Sequence, residues 1–108
     1  MTLAELKTIL EGITGYSNKV VYWAWKEKSA PALPFICYFE TGANNFFGDD
    51  IVYYSFHQIQ IELYTEDKAP EEEAKVETAL TNAGITWSKN CDFLDDEKCW
   101  MITYTVEV

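Results

Sequence analysis

Residues able to do chemistry are few in this chain, and their spacing does not bring them together. The one histidine, His57, is the natural candidate for a general base at neutral pH. It stands in the odd-numbered run Tyr53, His57, Ile59, Ile61, Leu63, in register with apolar residues. That register predicts a partly buried, hydrogen-bonded histidine in the core or at its edge rather than a base in a cleft. Cys37, Cys91 and Cys99 are odd in number and form no CxxC pair, which speaks against a zinc site or a disulfide framework and predicts reduced thiols. A hairpin with a three-residue loop centred on Asp95 sets Cys91 opposite Cys99, whereas a two-residue turn at Asp95 and Asp96 sets them on opposite faces. The acids Asp92, Asp95, Asp96 and Glu97 lack the spacing of an EF-hand loop and read as a solvated hairpin tip, as do Asp49 and Asp50. The sequence contains no arginine to clamp a phosphate and no nucleotide-loop, zinc-protease or nucleophile-elbow pattern. No catalytic, metal or cofactor site is assigned, and the chain reads as a non-enzyme.

What the chain has in excess is aromatic residues. Four Trp, seven Tyr and six Phe are more than a two-layer core in 108 residues needs, and aromatic side chains are enriched at buried interface centres. The stretch "ETGANNFFGDDIVYY" sets Phe46 and Phe47 among Gly, Asn and Asp, where turn chemistry is otherwise polar. Asn44 and Asn45 tolerate left-handed backbone and Gly42 and Gly48 free both ends, so residues 41–50 read as a loop whose shape nothing local fixes. Tyr54 and Phe56 follow at positions that alternation would give to water. Trp23 and Trp25 lie in "KVVYWAW", a run apolar on both alternating faces. These eight residues, Asn44, Asn45, Phe46, Phe47, Tyr54, Phe56, Trp23 and Trp25, form the expected contact surface of a protein that completes its burial against copies of itself or a partner.

Eighteen acidic against eight basic residues give a formal charge of −10, which opposes affinity for nucleic-acid phosphate or anionic lipid. No apolar run approaches the ~20 residues of a membrane span, and the N-terminal residues lack a signal-peptide pattern, so a cytoplasmic protein is expected.

The elements that must position these residues follow from periodicity. A helix is predicted over 3–13, capped by Thr2 and Glu5 at capping-box spacing and ended by Gly12 and Gly15. Strands are predicted over 19–25, from Pro34 through "FICYFE", and over the alternating run to Leu63. A second helix starts near Pro70, with Glu71, Glu72 and Glu73 at the end its dipole favours, an apolar stripe of Val76, Ala79, Leu80 and Ala83, and Gly84 as its stop. "ITWSK" and "CWMITYTVEV" supply two final strands. The expected fold is one α+β domain over residues 1–108, two helices on one face of a mainly antiparallel sheet of four to five strands, in the order α-β-β-β-α-β-β.

This combination resembles the small tail-completion, or tail-terminator, proteins of long-tailed bacteriophages and prophages. The likeness covers nearly the whole chain. It rests on the N-terminal helix, on "APALPFICYF", on the strand-to-acidic-helix run "YYSFHQIQIELYTEDKAPEEEAKVETAL", and on "AGITW" followed by a hairpin ending "ITYTVEV". The resemblance implies a ring, a hexamer, that caps the tail tube and meets the head-completion or connector proteins on its other face. DNA passes through such a ring without specific binding, and the protein sits in the host bacterial cytoplasm during assembly and in the virion neck afterwards. It further implies that residues 41–50 reach a neighbouring subunit or the lumen. A reading from another class is a small acidic inhibitor that imitates DNA and occupies a host nuclease or DNA-binding protein. That role needs carboxylates spread along one elongated face, whereas many here cluster at a helix start, a hairpin tip and a loop.

Overall fold

The computed structural model describes residues 2–26, 29–48 and 51–108, and of residues 43–48 and 51–56 it describes the backbone alone. The chain begins with α1, Leu3–Glu11, where the Thr2 hydroxyl accepts from the Glu5 N–H and the Glu5 carboxylate accepts from the Thr2 N–H, a complete capping box. The helix stops at Gly12, two residues before the expected end, and Gly15 then turns the chain at φ 93°, a conformation open to glycine at little cost. Ile13 and Tyr16, past the helix end, are still buried in the core.

Five strands form one mixed sheet: β1 (Val20–Tyr22), β2 (Phe35–Gly48), β3 (Ile51–Thr65), β4 (Trp87–Leu94) and β5 (Cys99–Glu107), in spatial order β1-β2-β3-β5-β4. All neighbours are antiparallel except β1, which runs parallel to β2. Helix α2, Pro70–Asn82, carries proline in its first turn and is followed by Gly84 at φ 76°, as its sequence signals require. The α+β class and the element order are therefore as read from sequence. Both helices bury one face on the sheet: Leu6 and Leu10 of α1 and Val76 and Leu80 of α2 meet Ile36, Ile59, Ile61, Leu63, Ile102 and Tyr104 in a single core.

Four expectations need correction. The strand over 19–25 is only three residues long, because Trp23 takes φ 74° and turns the chain off the sheet, leaving Trp25 outside regular structure. The segment 41–50 is no free loop up to Gly48: β2 and β3 stay paired from Gly42↔Gln58 out to Gly48↔Ile51, with register shifts at Glu40/Gly42 and Phe46/Phe47. Asp49 and Asp50 lie outside the described residues. His57 keeps the expected register and a hydrogen bond, its Nδ1 lying 2.9 Å from Glu40 Oε1, but its side chain is 47% exposed because the helices do not extend that far along β3. Finally, β4 and β5 pair Leu94 with Cys99 and Cys91 with Ile102, a register belonging to neither turn considered, and all three cysteines are free.

Beneath α2 lies a polar device that helix-dipole reasoning missed. Glu73 is 3% exposed, yet its carboxylate pairs with Lys68 and, at 3.1 Å, with Lys89. Lys89 also reaches Glu77 at 2.8 Å, and the same Glu77 oxygen accepts from the Tyr104 hydroxyl at 2.8 Å. The network ties α2 to β4 and β5. Burial pushes the Glu73 carboxyl upward, but hydrogen bonds from Lys68 and Lys89 outweigh it and hold the group below the ordinary carboxylate value. A depressed folded-state pKa stabilises above the unfolded value and loses that stabilisation as pH falls through the folded one. Glu73→Gln should therefore cost about 1–2 kcal/mol at neutral pH, where charge-assisted hydrogen bonds are lost. In urea denaturation the deficit should shrink as the pH drops below the carboxylate range at ~4. A deficit that is constant with pH would mean packing, not charge, is what Glu73 supplies.

Candidate functional site

The outer edge of β2 is paired with β1 only at Ile36, Cys37 and Tyr38, and the outer edge of β3 is paired with β5 from Gln58 to Thr65. Backbone exchange between His57 and Val108, at 2.8 and 3.0 Å, closes that ladder. Past these points β2 and β3 continue as a two-stranded arm that pairs, among the described residues, only with itself. Six residues from Ala43 to Gly48 at ~3.3 Å each give the arm roughly 20 Å, and the whole molecule is drawn out to 51 × 27 × 23 Å. The ladder sets Asn44 opposite Phe56, Asn45 opposite Ser55 and Phe46 opposite Tyr54, while Phe47 lies opposite Val52. Six of the eight expected contact residues are thus brought together on one projecting element.

The other two, Trp23 and Trp25, sit at the opposite end of β2, on the sheet face away from the helices. Because Ile36 and Tyr38 point into the core, alternation turns Phe35, Cys37 and Phe39 to that far face. Trp25 crosses Phe35 edge-on at 6.0 Å, and Phe35 packs on Tyr64 at 5.1 Å. Trp23 stacks on Phe39 with centroids 5.0 Å apart and planes within 7°, yet remains 59% exposed. Its N–H donates to the Tyr38 carbonyl at 2.8 Å, so the left-handed backbone is held by a sheet-like bond on one side and a ring stack on the other. Tyr22, 40% exposed, meets both Trp23 and Tyr38 edge-on. Part of the aromatic excess is therefore satisfied within the chain: Trp25, Phe35 and Tyr64 form a second, smaller apolar cluster. Trp23 stays exposed on that far face, while Tyr22, in register with Tyr38, is exposed on the helix side of the sheet.

Phe35, Phe39 and Tyr64 belong to this surface and were not singled out from sequence. The signal was present in "FICYF", an unbroken apolar run that, like "KVVYWAW", has something to bury on both faces.

Chemical groups elsewhere are tuned toward inertness. Burial pushes the Cys37 thiol up to about 11, with the charge of Glu62 adding to it, and burial also raises Cys99. Tyr16, Tyr64 and Tyr104 are all raised, first by burial and then by the Glu72, Glu62 and Glu77 carboxylates their hydroxyls donate to. Among the described residues no group of three or more His, Cys, Asp or Glu could hold a metal ion, and no helix is long and apolar enough to cross a membrane. A groove of about 620 Å³ lies between α1 and α2, its lining both apolar, with Ile9, Ile13, Ala74 and Ala79, and polar, with Thr8, Thr78, Glu71 and Lys75 among the rest. Neither protein-family models nor curated proteins give a match to this sequence.

An arm paired only with itself contributes little to the core it leaves. Replacing Asn45 to Ser55 by an Asn-Gly turn closes a two-residue hairpin between the paired residues Asn44 and Phe56. The shortened protein should melt within about 3 °C of the full chain. A much larger drop in a calorimetric scan would place the arm inside the cooperative unit.

Proposed function

We propose that this chain is a structural assembly protein of a phage neck, acting like a tail terminator: a ring, a hexamer, that caps the tail tube and joins tail to head. The observation that carries the reading is the arm. A small closed core that extends a two-stranded ribbon, with Phe46, Phe47, Tyr54 and Phe56 in its sequence, has the form of a subunit whose remaining burial is supplied by another chain. A two-stranded ribbon is marginal alone in water and gains from a surface to lie on. The likeness to tail-completion proteins over nearly the whole sequence supports the same reading and names the surface: the neighbouring subunit or the tube.

In this role the arm, carrying Asn44, Asn45, Phe46, Phe47, Tyr54 and Phe56 in its sequence, anchors each subunit, and Trp23 and Trp25 serve a second contact at the other end of the sheet. The partners are further copies of the chain, the tail-tube protein and a head-completion or connector protein. No catalytic step and no cofactor are required. A net charge of −10 per subunit repels phosphate, so duplex DNA passes through the ring without adhering. Assembly takes place in the host bacterial cytoplasm, and the finished ring lies in the virion neck.

The test separates anchoring from folding. Phe46→Ser with Phe47→Ser should leave the melting temperature of the isolated protein almost unchanged while abolishing head-to-tail joining in vitro. If the pair belonged to the subunit's own core, the double variant would lose on the order of 3 kcal/mol or more. A destabilised variant that still joins heads to tails would overturn the role of the arm. Tight salt-sensitive binding to a host nuclease, with no effect on joining, would point instead to the DNA-mimic reading.

A further inference from the structure

The two outer edges of the sheet differ. On one side β1 is three residues long and ends where Trp23 leaves the sheet at φ 74°. A short edge is one of the ways proteins keep a strand from pairing with other chains. On the other side β4 is the last strand, eight residues from Trp87 to Leu94, and none of them is buried. Its ladder to β5 runs without a register shift from Trp87↔Val106 to Leu94↔Cys99, so no bulge bends its outer edge away. It holds no proline, and its one lysine, Lys89, is paired with Glu73 and Glu77 of α2 on the helix side. Along its outer edge β4 therefore presents a row of backbone N–H and C=O groups with no strand beside them among the described residues. The chemistry that satisfies such a row is another strand.

The other open edge of comparable length belongs to the arm. β1 covers only Ile36, Cys37 and Tyr38 of β2, which leaves the edge of β2 open from Phe39 to Gly48. The edge of β3 is open over a shorter stretch, from Ile51 to Phe56. Charge favours the arm over a second β4 as the partner. From Thr41 to Gly48, and again from Ile51 to Ile61, the chain has no Lys, Asp or Glu, and the carboxylates Asp49 and Asp50 come only at the tip. β4 itself carries Lys89 and Asp92, one charge of each sign. Pairing β4 with β4 of another copy brings two bodies of this acidic chain edge to edge, whereas the arm meets β4 through a ribbon that is uncharged along its length.

We infer that the β2 edge of one copy's arm adds as a further strand to β4 of the next copy, so that the two sheets continue into one another. The pairing rests on the reading that the arm anchors each subunit on its neighbour, and it names the place where the arm lands. At ~3.3 Å per residue β4 extends over roughly 26 Å and the arm over roughly 20 Å, so most of the edge is matched. The contact cannot form within one subunit, because β3 and β5 stand between β2 and β4. Donor and acceptor are different surfaces, so the contact is head-to-tail and closes into a ring where the rotation per subunit allows. A lone two-stranded ribbon is marginal in water, and free subunits therefore associate weakly.

Two variants separate donor from acceptor. The protein with Asn45 to Ser55 replaced by an Asn-Gly turn lacks the arm and keeps β4. Neighbouring residues of a strand point their N–H groups to opposite sides, so one of Asn90→Pro and Cys91→Pro removes an outward N–H and spares the ladder to β5. The one that melts closer to the wild type is used, and it keeps the arm. By sedimentation from micromolar to millimolar concentration, the wild type should grow in average mass beyond a dimer, and each variant alone should stay monomeric. Their equimolar mixture should stop at a one-to-one pair. Amide exchange followed by NMR reads the pairing itself. Exchange proceeds from the free fraction, so alternate amides of β4 should slow about twofold in the wild type once half of it is associated, and not at all in the protein without the arm. Should neither proline variant fold, that comparison decides alone. A wild type that associates with no slowing in β4 would overturn this landing place and leave the arm to another surface. Slowing that persists without the arm, with the mass stopping at a dimer, would show that β4 pairs with its own copy instead. A wild type that is monomeric throughout would overturn the pairing, and the joining assay with Phe46→Ser and Phe47→Ser would then judge the ring independently.

Discussion

The constraint on which this structure depends is a mismatch of lengths. Helices of nine and thirteen residues span roughly 14 and 20 Å at 1.5 Å per residue. The central strands β2 and β3, of fourteen and fifteen residues, run to roughly 46–50 Å. Two helices can bury only part of such strands, and the fully buried residues Ile36, Ile59, Ile61 and Leu63 mark that part. Everything beyond must find another solution. At one end β2 and β3 leave the sheet as a ribbon, and at the other the far face is covered by the chain itself, through Trp25 and Phe35. His57 stands at the boundary, in core register but past the reach of the helices, and its pairing with Glu40 follows from that position.

The same constraint explains which features the sequence made legible. Signals that act within one turn of chain read correctly: the Thr2/Glu5 box, Pro70 in the first turn of α2, Gly84 after its end, and the alternation through Ile59, Ile61 and Leu63. Features set by pairing did not. Residues 42–48 have the composition of a loop, and what makes them a strand is the ladder to β3, which propensity does not report. β1 ends early because Trp23 exchanges a place in the strand for a stack on Phe39, a choice available only once β2 is beside it. Glu73 illustrates a third kind of miss. An acid in the first turn of a helix is sufficiently explained by the dipole, and its burial depends on Lys68 and Lys89, brought to it from five and sixteen residues away. Of the expected contact residues, six fall on the arm and two at the far end of β2, a grouping that the sequence did not show.

The far face shows how a small protein can be apolar on both sides of its sheet and still present a mostly polar exterior. Gln58, Gln60, Thr103 and Thr105 occupy its centre, while Cys37 and Cys99 are buried near Trp25, Phe35 and Tyr64 at one end. Raised thiol and phenol pKa values are the consequence of that burial. They describe groups kept neutral by packing, and they leave no nucleophile poised at neutral pH among them.

Weakness of individual contacts has its own logic in the proposed ring. A ribbon of two strands is marginal alone, and subunits of net charge −10 repel one another. No one of these contacts holds free subunits together at low concentration. At the end of a tube, however, subunits bound side by side meet at an effective concentration that can reach the millimolar range, and several weak contacts per subunit then act as one. Salt at physiological strength screens charges beyond ~8 Å, which removes much of the net repulsion between subunits. A ring built this way forms where it is templated and nowhere else, which is the property required of a protein that must stop a polymer at its end without polymerising in solution.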